Sequence, residues 1–123
     1  MPALTEATLS EAERSALERL VPALQGEFGS QLRSVWLYGS RARGETPHPE
    51  SDVDVLVVLD SEHPDDRRRV SSHVYESERA DDRSSVFVST LVYSSERLAQ
   101  RREIESFFIQ EVDRDKIVLF GDP

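Results

Sequence analysis

Residues 35–60 read V-W-L-Y-G-S-R-A-R-G-E-T-P-H-P-E-S-D-V-D-V-L-V-V-L-D, and the fold is decided within them. An apolar, aromatic run from Val35 to Tyr38 ends at Gly39-Ser40, the punctuation expected at the end of a strand. Arg41 and Arg43 follow on a helix-compatible turn through Glu45, and a proline-bracketed loop, Thr46 to Glu50, leads to Ser51. Asp52, Val53 and Asp54 then open a second run, Val55 to Leu59, whose continuous apolar character predicts a strand covered on both faces. The order is strand, turn, loop and a strand that begins with two carboxylates.

Outward from this stretch, the preceding segment Thr8 to Phe28 has the spacing of an amphipathic helix. Leu9, Ala12, Ala16, Leu17, Leu20, Leu24 and Phe28 recur at three- and four-residue steps. Ser10 with Glu13 forms a capping-box pattern, Gly29 sits where the helix should stop, and Pro22 predicts a kink. Arg33 begins the first strand. After it come Asp52 to Leu59 as the second strand and a helix from about Asp65 to Ala80 with Val70 and Val74 as its apolar positions. Val86 to Tyr93 is a third strand. Ser94 to Val112 is helical with an interruption near Arg102, its apolar side formed by Leu98, Ile104, Phe107, Phe108 and Val112. Lys116 to Phe120 is a last short strand. The expected fold class is mixed α/β (α+β), a mixed sheet flanked by helices, with residues 1–123 as a single domain.

At 123 residues the chain can bury roughly two thirds of its unfolded surface. No apolar run approaches the roughly 20 residues of a membrane span. The N-terminus lacks the basic start and apolar stretch of a secretory signal, so a cytoplasmic location is expected. With no cysteine, disulfides and thiolate metal sites are excluded. A net charge of −9 argues against an extended surface for nucleic-acid backbone, while leaving room for a small basic pocket that takes one nucleotide.

Two positions along a strand return to the same face, so Asp52 and Asp54 point together, roughly 6.5–7 Å apart at the backbone. Such a pair disfavours double ionisation and calls for a cation; Mg²⁺ suits it, because water and substrate phosphates complete its oxygen shell. Gly39 permits close approach of backbone to a phosphate. Ser40 adds a hydroxyl, the turn adds N–H groups, and Arg41 and Arg43 are fixed cations of forked geometry. Alone, either motif also reads as a solvated strand entrance or a capped turn. Together, with eleven residues between Ser40 and Asp52, they put a phosphate cradle and a cation pair at one edge of neighbouring strands.

The segments L-Y-G-S-R-A-R-G-E and S-D-V-D-V-L-V-V resemble the polymerase-β-like nucleotidyltransferase superfamily, and in particular its small stand-alone minimal nucleotidyltransferase domains. The resemblance implies that Gly39 and Ser40 hold a nucleoside triphosphate with Arg41 or Arg43 assisting. It implies Asp52 and Asp54 as catalytic Mg²⁺ ligands for nucleotidyl transfer to a hydroxyl, with AMP from ATP the leading case and pyrophosphate released. It also implies a setting, since many such proteins are antitoxins paired with a helical HEPN-type toxin and some adenylylate that toxin.

The superfamily's third acidic residue belongs on the following strand, but Val86 to Val92 carries none; Phe87 or Ser89 stands in its neighbourhood. Glu76, Glu78, Asp81 and Asp82 lie just upstream and read as solvated. The alternative function is therefore a catalytically weak or inactive nucleotide-binding module that docks on a partner. Other residues carry less: His48 reads as a loop histidine, His63 and His73 lack metal-ligand spacing, and at least one of Trp36 and Tyr38 is expected in the core.

Overall fold

A computed structural model describes residues 7–48, 51–80 and 86–123. Helix α1 (Glu11–Phe28) starts as its sequence dictates: the Ser10 hydroxyl accepts from the Glu13 N–H and the Glu13 carboxylate accepts from the Ser10 N–H. Gly29 ends it at φ 56°, and a 3₁₀ turn, Gly29–Gln31, leads into β1 (Leu32–Tyr38). Pro22 lies within the helix on its exposed side, and the helix runs on through it for another turn and more. The ring removes one donor, but Leu20 and Leu24 on the buried face hold the two halves in register.

One helical turn, α2 (Gly39–Ala42), follows β1, and β2 (Val53–Leu59) returns antiparallel to it. Helix α3 (Asp66–Arg79) then crosses over to β3 (Val88–Ser94), which lies parallel to β2. Helices α4 (Ser95–Glu103) and α5 (Phe107–Asp115) precede β4 (Ile117–Gly121), antiparallel on the other side of β1. The strand order is β3-β2-β1-β4. The two central strands are the two that flank the glycine turn.

Both faces of β2 are covered, as its unbroken apolar run predicted. Val53, Val55, Val57 and Leu59 pack with Val35 and Leu37 beneath Leu17, Leu20 and Leu24 of α1 and Val70 and Val74 of α3. Leu56 and Val58 face the other way, with Trp36, Leu98, Ile109 and Val112. Trp36 is core: its indole N–H donates to the Asp122 carbonyl at 2.7 Å, and the ammonium of the single lysine, Lys116, sits 3.8 Å from its ring.

The interruption expected near Arg102 is present a little further on, but the place of Ile104 and Phe107 on the apolar side is corrected. The helix breaks over 104–106, where Glu105 takes φ 54°, and the break resets the rotational phase. Ile104 and Phe107 consequently stay exposed, 61% and 75%, and Ile109 is the residue that is buried. No described helix is long and apolar enough to cross a membrane.

Candidate active site

The β1–β2 pairing sets Tyr38 opposite Asp54, so the turn that begins at Gly39 must lie over the start of β2. Gly39 has φ 77°, a left-handed backbone that disfavours any side chain. A Cβ built on it would stand 2.6 Å from Asp54 Oδ2, so the carboxylate rests directly against the turn's backbone. The Gly39 and Ser40 carbonyls accept from the N–H groups of Arg43 (3.1 Å) and Glu45 (3.0 Å), closing the turn. Ser40 is half-buried beside it.

Asp54 is partly buried and Asp52 exposed. Burial, and after it the charge of Asp52, push the Asp54 carboxyl above its ordinary range, with Arg41 and Arg43 pulling in the opposite direction. Among the described residues neither carboxylate joins an ion pair or a hydrogen bond, and no group of three metal-ligating side chains forms. The Tyr38 hydroxyl is pushed up to about 12 by burial and by the nearby Asp54 and Tyr93, and so stays protonated. Its ring meets Phe108 of α5 edge-on at 5.7 Å.

The two arginines part company. Arg41 is 5% exposed and turned inward. Its guanidinium donates to the Ser51 hydroxyl and carbonyl, to the Thr8 carbonyl and, at 2.6 Å, to Glu13. Its backbone carbonyl accepts from the Thr8 N–H. The expectation that Arg41 presents its charge to a phosphate is corrected: all its donors are spent bracing the N-terminus of α1 to the residue just before Asp52. Arg43 is the solvent-facing cation of the turn, paired with Glu45 at 3.1 Å and 3.7 Å from Asp115 of α5. Glu13 and Ser51 were invisible as site-building residues; Glu13 is legible only as a helix cap, because its partner lies 28 positions away.

On β3, Ser89 is the residue in register with Asp54, so the neighbouring strand offers a hydroxyl where the sequence lacks an acid. Of the acids upstream, Glu78 is not merely solvated but accepts from the Val88 N–H at 2.8 Å, and Glu76 is exposed near His73. Asp81 and Asp82 lie outside the described residues, as do Pro49 and Glu50. His73 is paired with Glu27 and His63 caps the Asp65 N–H, so neither approaches the acid pair.

The donor set fits a divalent cation. Two carboxylates lie near each other without an ion-pair partner among the described residues, one of them partly buried against a glycine that leaves it room. Asp52 and Asp54 are the residues that would hold Mg²⁺.

Comparison with known proteins bears on the family and the fold. A Methanocaldococcus jannaschii protein named "Putative protein adenylyltransferase" is 38% identical over 48 residues, 39% of this chain and 47% of its own length. The matched region is thus about half of that relative. In shape, a mutant of the MntA-HpeT toxin-antitoxin aligns over 86% of this chain and 73% of its own, with TM-score 0.56 and 16% identity. A toxin-antitoxin solved with AMP-PNP aligns over 85% and 73%, with TM-score 0.53 and 21% identity. At such identities the likeness concerns the fold, a four-stranded mixed sheet flanked by helices. The family model for the nucleotidyltransferase domain matches residues 17–107, a span that holds the glycine turn, the acid pair and about three quarters of the chain, and by that match the protein belongs to the nucleotidyltransferase domain family.

Proposed function

We propose that the protein transfers a nucleoside monophosphate, AMP from ATP, to a hydroxyl of a partner protein. The observation that carries this reading is the contact of the Gly39 turn with Asp54, which makes phosphate cradle and cation pair one site. In this reading the backbone and hydroxyl of Gly39-Ser40 hold the triphosphate, Arg43 adds charge at its rim, and Asp52 and Asp54 hold Mg²⁺. Bound Mg²⁺ neutralises the phosphates and the charge that develops on the leaving group. The acceptor oxygen bonds to the α-phosphorus as the bond to pyrophosphate breaks, and the hydroxyl proton passes to solvent. Arg41 acts at one remove, fixing the turn and Ser51 so that both acids share an edge.

The adenylyltransferase named among the relatives supports AMP as the transferred group, and the AMP-PNP complex of a structural neighbour supports a triphosphate substrate. One neighbour is a double aspartate-to-glutamate mutant of a toxin-antitoxin whose two substituted positions are spaced as Asp52 and Asp54 are. These likenesses support an antitoxin role, and a helical HEPN-type toxin is the partner the sequence resemblance implies.

The test is incubation with ATP labelled at the α-phosphate, Mg²⁺ and candidate partners. Asp52→Asn and Asp54→Asn are each expected to abolish labelling while leaving the fold intact. Undiminished labelling by either variant would remove these carboxylates from the mechanism.

Ser89 favours a second reading, a nucleotide-binding module that acts by docking. General-base help is worth typically about 10²–10⁴ in rate, and its natural position carries no acid. Protein that binds Mg·ATP tightly yet labels no partner would establish the module.

A further inference from the structure

Exposed edge strands invite pairing, and soluble proteins guard them with charge, proline, bulges or shortness. The outer edge of β3 has none of these. Its seven residues, V-S-T-L-V-Y-S, hold no charge and no proline, and their register with β2 runs unbroken from Val53↔Val88 to Leu59↔Ser94. The opposite edge, β4, is five residues long and shifts register against β1.

The Val53 N–H bonds to the Phe87 carbonyl at 2.9 Å, so the backbone groups of Phe87, Ser89 and Leu91 face β2. Those of Val88, Thr90 and Val92 alternate outward. Glu78 occupies the Val88 N–H at 2.8 Å. Among the described residues nothing accepts from the N–H groups of Thr90 and Val92.

Two arginines flank this open stretch, Arg67 from α3 and Arg97 from α4. With Thr90, Leu91, Val92 and Tyr93 they line a cavity of about 210 Å³. The Arg97 guanidinium stacks 4.7 Å above the Tyr93 ring. Arg33, Arg41, Arg43, Arg69, Arg102 and Arg114 all pair with carboxylates. Among the described residues Arg67 and Arg97 form no such pair, nor do Arg19, Arg79 and Arg101, but Arg67 and Arg97 are the two that line the β3 edge, in a chain with a net charge of −9. Glu62 and Asp66 line the adjoining cavity with Arg67, Val92 and Arg97, but Glu62 accepts from the Ser94 hydroxyl and Asp66 lies 3.6 Å from the Arg69 guanidinium.

We propose that the outer edge of β3 docks an extended, acidic segment of a partner protein. The segment adds to the sheet as a fifth strand through Thr90 and Val92, with its carboxylates between Arg67 and Arg97. Main-chain bonds supply affinity in strand addition, and the flanking side chains supply selectivity. A second copy of this chain is the poorer occupant: pairing two β3 edges would bring like arginines together and oppose two acidic molecules. The inference stands apart from nucleotidyl transfer, since it uses neither Asp52 nor Asp54.

The test uses the full chain and a fluorescent peptide as long as β3, alternating glutamate with valine, beside its lysine counterpart. The glutamate peptide is expected to bind, weakening with salt, and to slow amide exchange at Thr90 and Val92 about tenfold or more. Arg67→Glu and Arg97→Glu should each weaken binding about tenfold. Val92→Pro should do the same without disturbing β2, because it removes a donor that points outward; its melting curve checks the fold. Absence of binding, equal binding of the lysine peptide, or binding without protection of Thr90 and Val92 would overturn the proposal. Dimerisation of the peptide-free protein that Val92→Pro abolishes would assign the edge to a second copy instead.

Discussion

Replacing Arg41 by alanine separates a brace from a phosphate ligand. The guanidinium is nearly inaccessible and forms a 2.6 Å ion pair with Glu13, the two side chains being 6% and 12% exposed. Removing it strands the Glu13 carboxylate and leaves the Thr8 and Ser51 carbonyls short of donors. Breaking a buried pair from one side costs about 3–5 kcal/mol. For a chain of this size each kcal/mol moves the melting temperature by about 4 °C, so a fall of about 12–20 °C is expected. Glu13→Gln keeps an acceptor for the guanidinium but leaves the buried Arg41 charge without its carboxylate, so it should cost about 3 kcal/mol, the low end of the range for breaking a buried pair. The double variant Glu13→Ala/Arg41→Ala should lose less than the sum of its single changes. Burial alone would raise the Glu13 carboxyl, but the hydrogen bonds from Arg41 and Ser10 and the Arg41 charge hold it below its ordinary 4.5. A depressed carboxyl stabilises above its unfolded value, so this contribution is intact above pH 4.5 and is lost as the pH falls below it. Glu13→Gln should lack that part of the acid sensitivity. Calorimetric melts at several pH values, with Mg·ATP titrations alongside, read all of this. An Arg41→Ala protein that melts with the wild type while its nucleotide affinity collapses would refute the brace and return Arg41 to the phosphates.

Gly39→Ala should cost about 1–2 kcal/mol from its left-handed backbone and weaken Mg·ATP binding by far more, because the new methyl displaces the Asp54 carboxylate; melting and calorimetric titration of one sample compare the two. Asp54→Asn should stabilise the metal-free protein at neutral pH. A carboxyl raised in the fold loses stability as the pH climbs from 3.8 through its raised value, and the amide has no such decline; added Mg²⁺ should stabilise the wild type and not the variant, as melts across pH with and without Mg²⁺ will show. Ser89→Asp places an acid in register with Asp54 and should raise the transfer rate by about 10²-fold, read by α-phosphate labelling; an unchanged rate would place the base elsewhere.

The elements were legible where local chemistry decides them. The Ser10–Glu13 box, the stop at Gly29 and the buried run of β2 are all short-range patterns, and the fold honours each. The same holds for the juxtaposition of turn and acid pair, since a strand, a glycine and a returning strand leave few ways to close. What the sequence hid is long-range. Arg41 meets Glu13 and Thr8 only because α1 passes over the turn, and no spacing rule connects residues 28 and 33 positions apart. An interruption near Arg102 was readable, but its position at Glu105, which turns Ile104 and Phe107 out to solvent, was not. Tyr38 and Trp36, two apart, share a face; their different burial, partial for Tyr38 and complete for Trp36, reflects the nearness of Tyr38 to the open acid edge.

The charge arrangement of that edge gives the functional reading its strongest physical support. Two arginines lie in the turn beside two aspartates, and the simplest outcome would be ion pairs that close the site. The fold instead spends Arg41 on Glu13 and Ser51, and draws Arg43 toward Glu45 and Asp115. Asp54 is left partly buried beside Asp52 with its carboxyl pushed up, an arrangement that costs stability in the empty protein. Acids that served only to solvate a strand entrance would have been free to turn outward or to pair with the nearest guanidinium. Holding Asp54 against the backbone of Gly39, beside an exposed Asp52 and with the adjacent guanidinium groups engaged elsewhere, suits the proposal that a ligand brings the compensating charge. A dication with a polyphosphate satisfies that need and the turn's N–H groups at once.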